Sequence, residues 1–318
     1  MAIQTKMGKA FEYACLNSLI EFLNNTQQVV IDKNASYNTA LSLYNAVDDN
    51  VKEKMDLAAT AAIKVVLKLE PQLENSLDNK PLFLGIQEDS KGIKGDVRDV
   101  ICIRKENEWE IGFSCKHNHS AVKHSRLSAT IDFGKMWFDI PCSEQYFKDI
   151  NPMFDELKIL KDKKVLWRDI ESKEDKYYVP LLQAFMNELR NLDKGNPGII
   201  PEKLLTYLLG VNDFYKVITK DKEELTQIQA YNIYGTLNKP AGKVKPQVKI
   251  PLLTMPKEFY SIDFKPNSKN TIIVACDEGW TISMRIHSAR SIIEPSLKFD
   301  VNLIGVPPTL HTHFEGWK

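Results

Sequence analysis

The sequence has no excess of charge of either sign, because 42 lysine and arginine residues balance 42 aspartate and glutamate residues. The whole molecule is therefore not drawn towards polyanions, and any nucleic-acid binding must come from a local cluster of basic side chains. A long apolar run is also absent from the start, MAIQTKMGKAFEYACLNSL, where charges and asparagines interrupt any signal peptide or membrane span. We therefore expect a cytoplasmic protein.

Cysteine is scarce and irregularly spaced. The five residues are Cys15, Cys102, Cys115, Cys142 and Cys276, with no C-x-x-C pair among them. An odd, scattered set indicates neither a disulfide framework nor a zinc knuckle. We expect reduced thiols that are packed mostly in the core.

The chain does have enough apolar residues, 43% of 318, to bury a sizeable core. Apolar side chains recur at helical spacing over 9–24 and 51–69, which predicts two amphipathic helices. Two β-rich runs, 97–104 and 109–116, flank the polar turn 105–108 and predict a hairpin. The expected fold class is α/β of the α+β kind.

A cluster of glycine and proline at 195–201 is the clearest candidate boundary. It divides the chain into 1–194, which contains the predicted hairpin, and 195–318. The second part contains three further β-rich runs, at 271–276, 280–287 and 297–304. We therefore expect a catalytic core before the boundary and a β-rich recognition lobe after it.

The predicted hairpin carries the strongest chemical signal. We expect its strands to close with Arg104 opposite Trp109, and constant sums of paired residue numbers then set Asp99 opposite Ser114. Side chains alternate along a strand, so Ser114 and Lys116 share a face with Asp99. A carboxylate that holds a divalent cation, beside a lysine that orients water and offsets charge, is what a metal-dependent phosphodiesterase needs. Taken alone, such a pair is more often a surface ion pair.

This arrangement resembles the catalytic core of the PD-(D/E)xK nuclease superfamily, in which an aspartate on one strand and an acidic-x-lysine tripeptide on its partner hold the metal. The tripeptide here is Ser114-Cys115-Lys116. The resemblance implies a central mixed β-sheet flanked by helices, with Asp99, Lys116 and Ser114 at the catalytic site and the backbone carbonyl of Cys115 as a metal ligand. The Cys115 side chain points the other way, into the core. A serine hydroxyl is a poor ligand for a hard cation, so one carboxylate must come from elsewhere.

Two acids are candidates for the missing carboxylate, since some restriction endonucleases of the superfamily carry Ser-x-Lys and supply the acid from a helix. Glu12 falls on the apolar stripe of the first predicted helix, where an ionised carboxylate is costly unless a cation pairs with it. It also has an ordinary interpretation as an acid in the first helical turn. Asp132 lies sixteen residues beyond Lys116, a position resembling that of the acid in the Ser-x-Lys enzymes.

Five runs of the sequence are GKAFEYACL, GDVRDVIC, GFSCKHNHSAVKHSRLS, MRIHSAR and SLKFDVNL. In these runs the chain resembles one family more closely than the superfamily, the HaeIII-type restriction endonucleases. The resemblance implies a Mg²⁺-dependent type II enzyme that hydrolyses phosphodiester bonds in double-stranded DNA at a short specific site, GGCC for the enzyme that names the family. It also implies a restriction–modification system with a cognate DNA methyltransferase. Symmetric targets are usually read by two-fold symmetric dimers, so a homodimer is expected and a monomer is left open.

Basic side chains are concentrated locally, as the balanced charge requires of a DNA-binding protein. No acid occurs between Ile111 and Ile131, arginine suits guanine edges, and amides suit adenine or the backbone. The candidate DNA-binding residues are His117, Asn118, His119, Lys123, His124, Arg126, Gln229, Asn232, Asn238, Lys239, Arg285, His287, Arg290 and Lys298. A solvated sheet face is the ordinary alternative for 285–298.

Two other functions stay open on the sequence alone. Ser114 is also what the decay of an acidic ligand would leave, which fits a catalytically inactive, sequence-specific DNA-binding protein. The same core also fits a non-specific or repair nuclease. Zinc is not expected, because the pairs His117-x-His119 and His311-x-His313 lack third and fourth ligands in the sequence.

Overall fold

The computed structural model describes residues 3–74, 80–88, 90 and 95–318. In chain order the helices are α1 (Ile3–Leu23), α2 (Ala35–Asn45), α3 (Asp49–Leu69), α4 (Pro71–Glu74), α5 (Phe133–Phe138), α6 (Glu144–Asp162), α7 (Val179–Gly195) and α8 (Ile200–Leu209). The strands are β1 (Val29–Asp32), β2 (Leu82–Ile86), β3 (Val100–Arg104), β4 (Trp109–His117), β5 (Lys123–Leu127), β6 (Phe214–Lys220), β7 (Leu225–Tyr231), β8 (Phe259–Phe264), β9 (Thr271–Cys276), β10 (Thr281–His287), β11 (Leu297–Gly305) and β12 (His311–Gly316). None of the helices in these described ranges is long and apolar enough to cross a membrane.

The chain folds into two compact units, each assembled from separate stretches of sequence. The first comprises Met1–Ser120, Gly210–Leu253 and Pro308–Lys318, and the second comprises Ala121–Leu209 and Thr254–Pro307. The expected single division between 194 and 195 does not follow these units, because the chain leaves the first unit after Ser120 and returns to it twice. The glycine and proline cluster at 195–201 lies instead within the second unit, at the junction of α7 and α8.

The first unit is built on a seven-stranded sheet in the order β1-β2-β3-β4-β6-β7-β12. β1 runs parallel to β2, and β4 runs parallel to β6, whereas the other neighbours are antiparallel. The sheet is therefore mixed, as expected. Helices α1 and α3 cover one face, where Phe11, Leu16 and Ile63 share an apolar core with Phe113 and Tyr215.

The two helices expected from apolar spacing are confirmed, with earlier starts. The stretch 9–24 corresponds to α1 and the stretch 51–69 to α3. α3 begins after Asp48, whose side chain accepts a hydrogen bond from the N–H of Asn50 and so satisfies a donor at the helix end. The buried face of α3 is rich in alanine, and these short side chains allow close packing against its neighbours.

The hairpin of β3 and β4 closes in the predicted register. Arg104 pairs with Trp109, and Val100 pairs with Phe113. A single helical turn, Lys105–Asn107, joins the strands. Because alternation fixes the faces once the register is set, this hairpin determines which side chains of β4 lie near Asp99.

The second unit contains a five-stranded antiparallel sheet in the order β5-β11-β10-β9-β8. One face is apolar and packs on helices: the rings of Phe299 in β11 and Phe185 in α7 have centroids 5.2 Å apart. The other face is polar, with Arg126 and Arg285 exposed. Strands β9, β10 and β11 match the β-rich runs expected after residue 194, so those runs are confirmed as strands.

Candidate active site

Asp99 lies immediately before β3, and its backbone N–H donates at 2.7 Å to the carbonyl of Phe113, the residue that also pairs with Val100. Its Oδ2 accepts a hydrogen bond from the N–H of Cys115 at 2.7 Å and lies 3.4 Å from Nζ of Lys116. Both ends of this ion pair are only partly buried. The hairpin therefore brings Asp99 and Lys116 together on one face, and a backbone donor orients the carboxylate.

Lys116 keeps its positive charge in this setting. Burial alone would lower the pKa of its ammonium group, but the nearby Asp99 carboxylate raises that pKa above its ordinary value. In the free protein Lys116 is therefore suited to offset negative charge and to donate hydrogen bonds rather than to accept a proton.

Glu12, on α1, is a second carboxylate near this pair. The residue is 6% exposed, and its Oε2 lies 3.0 Å from Nζ of Lys9. Burial, and after it the Asp99 carboxylate, raises the pKa of Glu12 to about 8, against the opposing effects of Lys9 and Lys116. Glu12 therefore holds a proton at neutral pH unless a further cation offsets the repulsion between the two acids.

Asp132, the alternative acid, belongs to the second unit and caps α5. Its Oδ1 accepts hydrogen bonds from the backbone N–H of Lys135 at 2.8 Å and of Cys142 at 3.0 Å. Asp132 therefore has a structural role of its own, whereas Glu12 shares the first unit with Asp99.

The residues next to Lys116 in the tripeptide take opposite faces, as predicted. Ser114 is buried on the face of Lys116, and Cys115 lies in the apolar core of the first unit. A hydrogen bond with Cys15, together with burial, raises the pKa of the Cys115 thiol well above its ordinary value. The thiol is therefore an unreactive core group, and the expected core placement of Cys115 is confirmed.

The two acids near Lys116, Asp99 and Glu12, are suited to a hard cation whose remaining ligands come from water and substrate. Among the described residues no group of three or more His, Cys, Asp and Glu side chains is arranged to hold a metal ion. Mg²⁺ is usually held by one or two carboxylates together with water and substrate phosphates. Two neighbouring carboxylates, one of them with a pKa raised by the other, fit that pattern.

Sequence reasoning missed Lys216, which lies on β6 beside the hairpin. Lys216 pairs with Ser114 across the parallel strands, is 3% exposed, and donates from Nζ to the carbonyl of Ser120 at 2.6 Å. Burial, and after it the charge of Lys116, lowers the pKa of Lys216 to about 7. The available signal was a lysine in the middle of the β-rich run FYKVITK, since lysine is almost never fully buried without a reason.

The end of β4 is fixed to the turn after β6. Nε2 of His117 lies 3.2 Å from Oδ2 of Asp221, and the His117 ring lies beside the ring of Phe11. Asn118 donates from Nδ2 to Oδ2 of Asp221 at 2.8 Å, and its Oδ1 accepts from the Asp221 N–H at 3.0 Å. His119 follows on the same segment. These contacts hold the segment that follows β4 in one place.

Five of the predicted DNA-binding residues lie at paired positions of β5, β10 and β11 in the second unit's sheet. Residues that pair across strands, or lie two apart on one strand, share a face of the sheet. One set of paired positions is Arg126, Lys298 and His287, and the other is His124, Asp300 and Arg285. The side chain of His124 lies outside the described part of the structure. Side chains that the sequence separates by about 170 positions are therefore neighbours, as Arg126 and Ser296 show with a contact of 2.8 Å.

Most cations on this face already have acidic partners. Arg285 and His287 lie 2.7 Å and 3.2 Å from Oδ2 of Asp300. Arg126 and Arg290 lie 3.6 Å and 3.3 Å from Glu294. A solvated face and a DNA-contacting face both fit such exposed ion pairs.

Lys123 of β5 differs from these residues because it is partly buried. Its Nζ donates to the carbonyl of Tyr207 at 2.8 Å and lies 3.7 Å from the centroid of the Tyr207 ring. Burial lowers the pKa of Lys123 to about 8. These contacts give Lys123 a packing role within the second unit.

The amide residues of the first unit mainly brace a loop. Asn238 donates from Nδ2 to the carbonyl of Leu69 at 2.8 Å and accepts from the Ile250 N–H at 2.9 Å. Asn232 is buried and donates to the carbonyl of Pro251 at 3.3 Å. These two side chains therefore hold backbone groups. Of the other two members of this predicted set, Gln229 is 9% exposed and Lys239 is exposed.

Comparisons with known proteins found matches over nearly the whole chain. The family model described as HaeIII restriction endonuclease matches residues 8–307, a range that contains Glu12, Asp99 and Lys116. The type II restriction enzyme HaeIII of Haemophilus aegyptius is 47% identical over 304 residues, which cover 95% of each chain. No solved structure matches.

Proposed function

The chain belongs to the HaeIII restriction endonuclease family and is thus a type II restriction endonuclease, and we propose that it hydrolyses double-stranded DNA at the site GGCC in a Mg²⁺-dependent reaction. The observation that carries the proposed chemistry is the convergence of Asp99, Glu12 and Lys116, with an ion pair of 3.4 Å and a Glu12 pKa raised to about 8. The target GGCC is supported by the 47% identity to a relative of the same family.

In this proposal Glu12 and Asp99 hold the cation, with the backbone carbonyl of Cys115 as a further ligand. The N–H of Cys115 orients the Asp99 carboxylate by donating a hydrogen bond to its Oδ2. Bound Mg²⁺ supplies Lewis-acid activation of the scissile phosphate and of the attacking water. Glu12 would hold the cation as a carboxylate, because a neighbouring positive charge lowers the pKa of a carboxyl group.

Lys116 acts on the phosphate rather than on the protein. Its ammonium group is charged and points to the same side of the sheet as Asp99. We assign it the roles of orienting the attacking water and offsetting the negative charge that develops on the phosphate oxygens. Ser114, two residues before Lys116 on the same strand, contributes a neutral hydroxyl where the superfamily pattern has an acid.

Contacts with DNA are assigned to two surfaces. The first is the segment His117–His119, which follows Lys116 directly and would contact the DNA backbone next to the scissile phosphate. The second is the polar face with Arg126, Arg285, His287, Arg290 and Lys298. We assign catalysis to the first unit and part of DNA recognition to the second, and we expect a homodimer that acts in the cytoplasm beside a cognate methyltransferase.

A digest tests the proposed function. Purified protein is incubated with two unrelated plasmids in Mg²⁺ or in EDTA, and the ends of the products are sequenced. We expect discrete fragments in Mg²⁺ alone, with all ends inside GGCC. Fragments with ends at another sequence overturn the target, random nicking indicates a non-specific nuclease, and intact plasmid with a retained gel shift indicates a DNA-binding protein without catalysis.

A further inference from the structure

Lys216 lies on β6, the strand that pairs in parallel with strand β4 of the hairpin. β6 pairs with β4 so that Lys216 stands beside Ser114, two residues before Lys116 on the same strand. Because cross-strand partners share a face, the Lys216 side chain lies on the side of Asp99 and Lys116, away from the core under α1 and α3. Lys216 is therefore a second lysine within the proposed active site.

Among the residues that the structure describes, the surroundings of Lys216 do not balance its charge. A lysine ammonium has three donors, and the contact described for Lys216 is a neutral one, with the carbonyl of Ser120 at 2.6 Å. The charged neighbour that acts on it is another cation, Lys116. Buried positive charge without a compensating anion is costly.

The carboxylates near the two lysines do not remove this cost. Asp99 is engaged with Lys116 at 3.4 Å, and Glu12 pairs with Lys9 at 3.0 Å. A DNA phosphate brought to Lys116 for cleavage would bring negative charge to Lys216 as well, because the two ammonium groups are close enough to repel each other. Ser120 is exposed, so the buried Lys216 ammonium is held by the backbone carbonyl of a surface residue.

We propose that Lys216 is a second phosphate-binding lysine of the active site, whose buried positive charge is offset by the DNA backbone on binding. This inference rests on the proposed function, since it takes DNA phosphate as the anion. A purely structural lysine would be kept for its contact with Ser120, whereas a phosphate-binding lysine is kept at a cost to stability.

The two roles differ in what Lys216→Met does to stability. Methionine fills a similar volume without charge, so a phosphate-binding role predicts an unchanged or higher midpoint of thermal unfolding. The same variant should bind DNA in EDTA more weakly, with a slope of log affinity against log salt that is smaller by about 1. Its single-turnover cleavage in Mg²⁺ should be slower by about 10- to 100-fold.

The matched control is Lys64→Met, which removes one positive charge from α3 on the opposite side of the sheet. Lys64 is exposed, and its variant should keep wild-type binding, salt slope and cleavage. Wild-type binding and salt slope in Lys216→Met would overturn the proposal, and so would a loss of binding that is matched by a fall in the unfolding midpoint. If wild-type protein binds DNA but does not cut it, the proposed function fails, while the binding data in EDTA still decide the role of Lys216.

Discussion

The charged side chains of the two units are held in opposite ways. In the first unit Glu12 and Lys216 are buried, and their pKa values are displaced to about 8 and about 7. In the second unit Arg285 and Asp300 pair at 2.7 Å on an exposed face. Unmatched buried charge is expensive, whereas exposed pairs contribute only about 0 to 1 kcal/mol. The first arrangement is costly in the free protein, and in our proposal a cation and a phosphate offset that cost, whereas the second is stable without a partner.

This contrast separates the unit to which we assign catalysis from the unit whose exposed arginines are already paired. Both regions are rich in ionisable residues, so composition alone does not distinguish them. What distinguishes them is that, in the described part of the chain, the arginines of the second unit have acidic partners, whereas not all the charges near Asp99 do. Substitutions should accordingly have large effects on cleavage in the first unit and small ones in the second.

The largest effect is expected for Asp99→Asn and Lys116→Met. Each should slow single-turnover cleavage by about 1000-fold or more, because each removes a group that acts on the scissile phosphate or its cation. Binding to the target in Ca²⁺ should stay within about tenfold of wild type, since the other proposed contacts with phosphates are retained. Variants that cut at more than a tenth of the wild-type rate would falsify the assignment of this pair.

A smaller but still large effect is expected for Glu12→Gln. Cleavage at saturating DNA should slow by about 100-fold, and the Mg²⁺ concentration at half-maximal rate should rise, because one of two carboxylate ligands is lost. The matched control is Glu21→Gln on the same helix, since Glu21 is exposed. Equal metal dependence in wild type and Glu12→Gln would show that the second carboxylate is not Glu12.

Glu12 also predicts a pH dependence of stability. Its folded pKa is raised from 4.5 to about 8, so the folded state binds a proton that the unfolded state releases, and the free energy of unfolding falls as pH rises between these values. The loss by pH 8 is on the order of 1 to 3 kcal/mol. Denaturant titrations in EDTA at pH 5 and pH 8 measure it. Glu12→Gln should remove this decline, and Mg²⁺ should stabilise wild type more at pH 8 than at pH 5; a decline that persists in the variant has another source.

The hairpin shows how much of this site could be predicted from sequence. The register of Arg104 with Trp109 depends on a short turn and on alternation, both of which are local, so Asp99 and Lys116 could be placed on one face correctly. The division into units depends on which distant strands pair. β12 joins the first sheet through β7, and β5 joins the second through β11, and no local pattern encodes those partners.

Individual side chains show the same limit at smaller scale. Asn238 looks like a base-reading amide in sequence, but its amide bonds to backbone groups at Leu69 and Ile250, which become neighbours only on folding. Lys216 was missed for the converse reason, because its importance comes from standing beside Ser114 on a parallel strand about 100 residues away. Chemistry that depends on non-local pairing is therefore the part that sequence alone does not provide.

Arg285→Ala tests the second unit, where a modest effect is expected. If Arg285 exchanges Asp300 for a phosphate, affinity should fall about 3- to 10-fold at low salt for target and unrelated DNA alike, and the salt slope should decrease by about 1. Selective loss of target binding, by about 1 to 3 kcal/mol, would instead assign Arg285 to base reading. Titrations of both DNAs at several salt concentrations separate these outcomes. Lys158→Ala, at an exposed position of α6, is the charge control, and affinity equal to that control would leave this face as a solvated one.

The smallest effect on cleavage is expected for Asp132→Ala, although this variant should be the less stable protein. Oδ1 of Asp132 accepts from the N–H groups of Lys135 and Cys142, so alanine leaves donors at the start of α5 unpaired and should lower the free energy of unfolding by about 0.5 to 2 kcal/mol. Asp132→Asn keeps the acceptor and should recover most of that loss. Cleavage per folded molecule should stay within about twofold of wild type in both variants, because an N-cap has no part in the reaction. Loss of cleavage in both, with a raised Mg²⁺ requirement, would make Asp132 rather than Glu12 the acid that replaces the one missing at Ser114, and the contrast between the two units would no longer hold.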